Sequence, residues 1–289
     1  MNTTSAWKLM WREIYNDKIA LVALFLFGLI VLTVYIWAPF INLDDLNAVN
    51  IAFLRRRYQP PGSEFWMGTD SGGRDVFGQF ILGARNSFNI AFAVTFGGAV
   101  IGIFIGLISG FYGGHVDNAI MRVLDFIAMV PFLMLMIVFV SIHQHTVLTF
   151  TLIMIAFSWQ STARLIRVVT LRQSSLDYVS ASKTLGTPNI VIIFREVLPN
   201  LVSIIVSNVT MQLATNMGIE TGLTFLGFGL PFGSPSLGRL ISFARTPTIL
   251  QERQWIWLPS AFLIIIMMLC INFVGQALNR AADAKKRSV

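Results

Sequence analysis

Apolar residues run along this chain in stretches long enough to cross a membrane, and polar residues collect between the stretches. A bilayer core of about 30 Å needs about 20 apolar residues in a helix, since each residue rises about 1.5 Å. The fourth stretch is the weakest, because its strictly apolar part ends near Trp159. The pattern predicts six spans, at residues 19–41, 88–110, 120–142, 147–168, 201–219 and 258–278.

Composition agrees with a membrane protein. Hydrophobic residues make up 55% of the 289 positions and charged residues only 12%, whereas a soluble domain carries roughly twice that share of charge. We therefore expect an all-α integral membrane protein. The first apolar stretch is too long for a cleaved signal, and no small-residue cleavage site follows Trp37, so this stretch is expected to remain as a span. The single cysteine, Cys270, predicts neither a disulfide nor a metal site.

Charge placement predicts that both chain ends lie in the cytoplasm. With the N-terminus inside, 13 of the 21 lysine and arginine residues fall on the cytoplasmic side, as the positive-inside rule requires. This excess explains the net charge of +7 without nucleic acid, and the basic end Lys285–Arg287 is expected to fix topology or touch membrane lipid. The predicted organisation is a cytoplasmic segment 1–18, a first transmembrane helix 19–41, an extracytoplasmic loop 42–87, a five-helix core 88–279 and a basic cytoplasmic tail 280–289.

Four glycines recur at every fourth position of the second predicted span. Gly98, Gly102, Gly106 and Gly110 therefore form a flat stripe along one side of a helix. Lipid offers little hydrophobic drive for helix association, so close backbone approach through small residues matters more. The stripe predicts tight packing against another helix, either of this chain or of a partner.

The cytoplasmic segment between the fourth and fifth spans carries helix start and stop signals. Ser174 and Asp177 have the spacing of a capping box, which predicts a short helix through Leu185. That helix should end at Gly186, which tolerates a left-handed cap, with Pro188 just beyond it as a breaker.

A second helical piece is predicted over 189–197, leading through Pro199 into the fifth span. The segment is thus expected to form a helix–turn–helix elbow of about 30 residues on the cytoplasmic side. By spacing alone, a connector lying on the membrane surface is as good an interpretation as a contact site for a partner.

Polar residues on the fifth predicted span are typical of an interface or an aqueous cavity. Asn208, Gln212 and Thr215 follow i, i+4, i+7 spacing, and Asn216 lies beside that line. Polar side chains at membrane depth avoid lipid. They are predicted either to line a translocation route or to bond to neighbouring helices.

Charged residues gather near the predicted cytoplasmic span ends. Asp117, Arg122 and Asp125 predict an electrostatic clasp between span ends, with partner contact as the alternative. Arg164 and Arg167 are expected to anchor the fourth span at the inner surface, again with partner contact as the alternative.

The elbow resembles the loop with the Glu-Ala-Ala signature of bacterial ABC import permeases. The pattern reads Glu-Ala-Ala, three residues, Gly, nine residues, then Ile-x-Leu-Pro. The matching positions here are Ala181, Gly186, Leu198 and Pro199. Three positions depart from it: Ser180 replaces Glu, Ser182 replaces the second Ala, and Glu196 replaces Ile.

Other segments resemble a particular branch, the C-type subunit of oligopeptide and dipeptide permeases, and the resemblance covers roughly residues 15–280. The segments that carry it include Gly68-Thr69-Asp70-x-x-Gly73-Arg74-Asp75, Gly110-Phe111-Tyr112-Gly113-Gly114 and Leu223-x-Phe225-Leu226-Gly227-Phe228-Gly229.

This resemblance implies a type I permease fold and a non-catalytic subunit of a peptide importer in the bacterial cytoplasmic membrane. The implied partners are a second permease subunit, two ABC ATPase subunits that bind ATP and Mg, and an extracytoplasmic peptide-binding protein; no cofactor is implied in this chain. The short helix before Gly186 would be the coupling helix, with Ser180 or Lys183 taking over part of the missing glutamate's contact. The implied ATPase-facing residues are Tyr178, Ser180, Ala181, Ser182, Lys183, Leu185 and Gly186.

Rival functions are weighed against what the chain contains. It has no phosphate-cradling Gly-x-x-x-x-Gly-Lys-Ser/Thr loop and no His-Glu-x-x-His helix. A stand-alone secondary transporter is disfavoured because ionisable residues are missing between the predicted span ends. His143 and His145 have no third ligand nearby in sequence, so a metal site is not predicted there. Transport of nickel chelates by the same transporter type stays open as an alternative substrate.

Overall fold

The computed structural model describes residues 6–43, 46, 55–142 and 146–287. His143 and His145 therefore lie outside the described residues. Regular structure in the described ranges is helical, with one isolated bridge between Thr69 and Asp75. In chain order the helices are α1 Ala6–Asn16, α2 Lys18–Trp37, α3 Val76–Tyr112, α4 Gly114–Ala128, α5 Phe132–Ile142, α6 Val147–Ser174, α7 Asp177–Thr184, α8 Asn189–Ile192, α9 Leu198–Leu226, α10 Leu237–Ser242, α11 Pro247–Glu252 and α12 Gln254–Arg287.

The described ranges hold five helices long and apolar enough to cross a membrane, and a sixth crossing if a bent pair counts as one span. The bent pair is α4 and α5, which meet at 63°. Pro131 stands directly before α5, and a proline lacks the amide that a continuous helix needs. The prediction of an all-α membrane protein with about six spans is confirmed.

Several helices extend beyond their predicted spans, α3 and α9 among them. α3 begins at Val76 rather than at residue 88, because the Asp75 carboxylate caps it by accepting from the amides of Phe77 at 3.1 Å and Gly78 at 3.0 Å. Burial raises the pKa of the Asp75 carboxyl, while these amide hydrogen bonds act in the opposite direction. The predicted loop 42–87 thus contains the first turns of α3.

α9 likewise continues past residue 219 and ends at Leu226. Gly227 follows in the left-handed conformation with φ of 93°, and the amide of Phe228 bonds to the carbonyl of Leu223 at 2.9 Å. This closing pattern is a glycine C-cap. The predicted span was too short because it was ended at the first charged residue, Glu220. The helix itself continues until Gly227 stops it.

The capping box predicted at Ser174 and Asp177 is wrong. Ser174 is the last residue of α6, and its hydroxyl donates to the carbonyl of Leu171 at 2.9 Å. The N-cap of α7 is Leu176, which makes no side-chain capping bond. The predicted helical piece over 189–197 is present, and it runs into the fifth span because a π-helical turn over Ile193–Val197 joins α8 to α9.

The four-glycine stripe packs against α6 of the same chain. A Cβ atom placed on Gly102, Gly106 or Gly110 would lie 2.6–2.7 Å from a backbone carbonyl oxygen of α6. Real Cβ atoms do not approach a heavy atom within 3.0 Å, so the two backbones touch where side chains would normally separate them. The α3–α6 pair therefore forms the close-packed centre of the fold.

The remaining long helices surround this pair. α9 packs on α12 and α3, with Ala91, Ala214, Met217 and Met267 buried between them. The first helix, α1, also packs on α12, and the Asp17 carboxylate pairs with the Arg280 guanidinium. Helix α1 and the part of α12 that carries Arg280 are thus held on one side of the bundle.

The loop before α3 is organised by the acidic residues of its Gly-Thr-Asp signature. One oxygen of Asp70 accepts from the amides of Gly72 at 2.7 Å and Arg74 at 3.0 Å, and its other oxygen accepts from the Gln79 amide at 3.0 Å. Gly73 takes a φ of 75°, which side chains other than glycine rarely adopt. The residues of this signature therefore have a structural role: they fix the conformation of the loop that leads into α3.

Candidate functional site

The elbow that the sequence predicts for the cytoplasmic side is centred on α7, a helix of eight residues. It ends in a Schellman motif: the Gly186 amide bonds to the Lys183 carbonyl at 3.0 Å and the Thr187 amide to the Ser182 carbonyl at 3.1 Å. Gly186 has a φ of 79°, as its predicted role as the stop of the helix requires. The motif gives the short helix a defined end and fixes the direction of the chain beyond it.

The inner face of α7 is anchored in an apolar cluster. Val179 is fully buried there, together with Phe111 of α3, Ile166 of α6, and Ile192 and Val197 at the base of α9. The elbow thus contacts three long helices at once. A force applied to α7 reaches the bundle through this cluster.

The outer face of α7 is open. Ser180, Ala181 and Gly186 are exposed, and Leu185 at the tip is 84% exposed. Ile190, just past the turn, is 64% exposed. An exposed apolar tip on a rigid helix is typical of a surface that docks into a partner.

Three of the residues predicted to face a partner also make contacts inside the chain. The Tyr178 hydroxyl donates to the side chain of Gln173 at 3.0 Å, and the Ser182 hydroxyl donates to Glu196 at 2.9 Å. The Lys183 ammonium lies 4.6 Å from the centre of the Phe111 ring. The same helix therefore divides into an inner set of tethers and an outer set of exposed residues.

Burial raises the pKa of the Tyr178 hydroxyl, the nearby Glu196 carboxylate adds to that rise, and a hydrogen bond with Asn200 opposes it. The tyrosine consequently stays a neutral hydrogen-bond donor at any pH near neutrality. Its role at the elbow is that of a fixed contact, because its charge does not change.

Two ion pairs join α4 to α6 on the same side of the bundle as the elbow. Asp117 pairs with Arg167 and accepts from the Ser109 hydroxyl, and its side chain is only 9% exposed. Asp125 pairs with Arg164 at 2.8 Å, with both side chains about half exposed. These contacts form a clasp between span ends, but its cations are Arg167 and Arg164 of α6, which the sequence pattern predicted as surface anchors, and Arg122 of the predicted cluster is exposed.

The polar residues of α9 point mainly at neighbouring helices. Asn208 accepts from Thr162 of α6 at 3.1 Å. Gln212 donates to Ser161 of α6 at 2.5 Å.

Farther along the helix, Asn216 donates to Thr95 of α3 at 2.9 Å. Thr215 is exposed and bonds only to its own helix, at the carbonyl of Met211. Of the two interpretations, helix-to-helix bonding describes Asn208, Gln212 and Asn216, while Thr215 faces outward.

Sequence reasoning missed Glu220. The expectation that ionisable residues are missing between span ends is wrong here, since Glu220 lies within α9 and is fully buried. Its carboxyl accepts from the hydroxyls of Thr224 at 3.1 Å and Thr221 at 3.3 Å. Gly227 is the signal that could have revealed Glu220. If the fifth span is extended to the helix stop at this glycine, Glu220 falls inside the helix. Its local threonine partners give it a structural role.

The helical bundle and the elbow define a multi-pass membrane protein of the permease class. The chain belongs to the family of binding-protein-dependent transport system inner membrane components, whose profile matches residues 102–288. The N-terminal transmembrane domain of oligopeptide transport permease C matches residues 5–61. Together they confirm the resemblance to the C-type permease subunits.

Curated relatives cover nearly the whole chain. The oligopeptide transport system permease protein OppC of Lactococcus lactis subsp. cremoris is 41% identical over 95% of this chain and 93% of its own. The oligopeptide permease AmiD of Streptococcus pneumoniae is 34% identical over 97% and 90%. The glutathione transport system permease GsiD of Pectobacterium atrosepticum is 31% identical over 98% and 91%.

Proposed function

We propose that this chain is a non-catalytic permease subunit of an ATP-binding-cassette importer that carries peptides across the bacterial cytoplasmic membrane. Family membership and the oligopeptide permeases among the relatives support the transporter type and the substrate class. The proposed partners are a second permease subunit, two ATPase subunits that supply ATP and Mg chemistry, and an extracytoplasmic peptide-binding protein. Both chain ends lie in the cytoplasm, in line with the lysine and arginine distribution and with the Asp17–Arg280 pair.

The observation that carries the mechanism is the division of α7 into two faces. The outer face, with Leu185 at its tip, enters a groove on one ATPase, and Ser180, Ala181 and Gly186 complete that contact. The inner face passes the resulting displacement through the apolar cluster of Val179 to the long helices. Closure of the ATPases on ATP thus rocks the bundle and changes which side of the membrane the route opens to.

The route itself runs along the outward side of α9 in this proposal. Thr215 is exposed there beside Met211, which is 36% exposed. The neighbouring amides Asn208, Gln212 and Asn216 hold α9 to α6 and α3, so they position the lining instead of contacting peptide. A surface of this mixed, uncharged kind suits peptides of varied sequence, because no fixed charge selects one side chain.

The test is to express the chain with its companion permease, ATPases and binding protein, and to measure copurification, ATP hydrolysis and peptide uptake in proteoliposomes. Leu185→Ser should leave the transmembrane bundle intact and reduce peptide-stimulated ATP hydrolysis by at least about tenfold, since the side chain is already exposed in this chain and an apolar anchor contributes about 1.5–3 kcal/mol when buried.

The matched control is Val116→Ser, which removes another exposed apolar side chain at the same end of the molecule. It should leave stimulation unchanged. If both variants behave alike, or if the chain carries peptide without ATPases, the proposed function is wrong.

A further inference from the structure

Two of the positions at which the elbow departs from the permease loop pattern meet in space. The hydroxyl of Ser182 on α7 lies 2.9 Å from each carboxylate oxygen of Glu196. The pattern has alanine and isoleucine at these two positions, so an apolar contact would be expected there. This chain has a directional hydrogen bond to a charged group in its place, and such bonds are stronger than those between neutral groups.

Glu196 occupies a distinctive place in the backbone. It lies in the π-helical turn Ile193–Val197 that leads directly into α9, and π-helical turns are frequent at functional sites. Its own carbonyl accepts from the Asn200 side chain at 2.9 Å. The residue is therefore tied both to α7 on one side and to the first turn of α9 on the other.

The bond adds a directional contact to the other tethers of α7, among them the hydrogen bond of Tyr178 to Gln173. Val179 holds the helix by apolar contact, which is non-directional and permits rotation about the helix axis. Lys183 ties α7 to α3 through the Phe111 ring. The Ser182–Glu196 bond ties α7 to α9, the helix that carries the polar residues Asn208 and Gln212.

We infer that Glu196 is a positioning residue whose hydrogen bond with Ser182 makes α7 and the base of α9 move as one body. This inference rests on the proposed function, in which an ATPase displaces α7. With the bond in place, a given displacement of α7 produces a fixed displacement of α9. Without the bond, α7 slips against α9, ATP is hydrolysed, and fewer peptides are carried for each ATP.

The charges around Glu196 favour this reading. The groups that face its carboxylate are the Ser182 hydroxyl and the Tyr178 phenol. Within the described ranges it forms no ion pair, and the neighbouring Arg195 is exposed. Ser182 is thus the donor that satisfies a partly buried carboxylate, and removing it alone leaves that charge without its hydrogen bond.

A double-mutant cycle in the assembled transporter tests the inference. The variants are Ser182→Ala, Glu196→Ile and the two combined, and the readout is the number of peptides carried per ATP hydrolysed in proteoliposomes. Each single change should lower this ratio at least about tenfold, the lower end of the range that one hydrogen bond to a charged group represents. The combined variant also lacks the bond, so its ratio should fall no further than that of either single variant, and the two effects should be strongly non-additive.

Conservative variants separate positioning from a general loss of structure. Ser182→Thr keeps the hydroxyl and Glu196→Gln keeps an acceptor oxygen, so both should retain most of the coupling ratio. Ser175→Ala removes an exposed hydroxyl that bonds only to the carbonyl of Arg172, and it should change nothing. The amount of complex recovered with the ATPases is measured for every variant, so that a misfolded subunit is recognised.

The outcomes distinguish this inference from the proposed function. If Leu185→Ser abolishes stimulation while the cycle is additive, or while the single variants keep a normal ratio, the Glu196 role is wrong and the proposed function stands. If the chain does not assemble with ATPases at all, the proposed function falls and the inference with it. Impaired single variants, with a double variant no worse than either, support the inference, whereas a normal ratio in the double variant would show that the bond is dispensable.

Discussion

The α3–α6 pair and the elbow are joined to the rest of the molecule in contrasting ways. Along α3, Gly102, Gly106 and Gly110 let the backbone touch the backbone of α6, with no side chain between them. At the elbow, α7 is attached through individual side chains, namely Val179, Ser182 and Lys183. A backbone contact leaves no room for displacement, whereas a side-chain tether can lengthen or break.

The difference suits the two tasks of a moving membrane protein. Without a hydrophobic drive between helices in lipid, rigidity comes from close van der Waals contact, which the glycines permit. The elbow lies at the water boundary, where hydrogen bonds and a cation–π contact contribute modest energies and break at low cost. The central pair is therefore the more rigid of the two regions, and the attachment of α7 suits the coupling role proposed for it.

The largest effect should come from filling the glycine contact. Gly106→Ala places a Cβ 2.7 Å from the Ala163 carbonyl oxygen, and overpacking of this kind costs about 1–3 kcal/mol. That exceeds the gain of at most about 1 kcal/mol from replacing a helical glycine. Gly106→Leu should leave little folded protein. The measurement is the melting temperature of the purified subunit or complex in detergent.

The control for this substitution is Gly28 in α2, around which nothing lies within 4 Å. Gly28→Ala and Gly28→Leu should be neutral or slightly stabilising. Equal losses at positions 28 and 106 would show that the helix contact is not the cause.

A smaller loss is expected when the clasp is opened. Asp117→Ala leaves the partly buried Arg167 and the buried Ser109 hydroxyl without their partner, which should cost about 1–3 kcal/mol. Asp125→Ala removes a pair that is about half exposed, and exposed pairs contribute about 0–1 kcal/mol. Thermal unfolding of the two variants should therefore give a lower melting temperature for Asp117→Ala than for Asp125→Ala. The reverse ranking would contradict the central role assigned to Asp117.

The smallest effect on global stability should come from the elbow itself. Gly186→Ala forces an L-residue into φ of 79°, at a local cost of about 1–2 kcal/mol. Because α7 is a short peripheral unit, this cost should appear as faster hydrogen exchange over residues 177–187, with little change in melting temperature. Gly186→Asn, which tolerates the left-handed region better, should exchange more slowly than the alanine variant. A large global loss for Gly186→Ala would mean that the elbow is part of the rigid support.

Local signals predicted some parts of the molecule well. The runs of apolar residues indicated the spans. Gly186 and Pro188 indicated the end of α7, because a helix stop of this kind depends on only one or two consecutive residues. Other local signals failed. Ser174 and Asp177 had capping-box spacing, yet α6 continues through Ser174, since burial of its apolar face favours helix over the competing cap.

The sequence by itself determined that this is a multi-pass helical protein, roughly where its apolar segments lie and which family it belongs to, because hydropathy and motif spacing are properties of consecutive residues. Only the tertiary structure decided that the glycine stripe meets α6, that Asn208 and Gln212 bond to that same helix, and that Ser182 meets Glu196. These pairings depend on the angles and distances at which separate helices cross, and no single stretch of sequence contains that information.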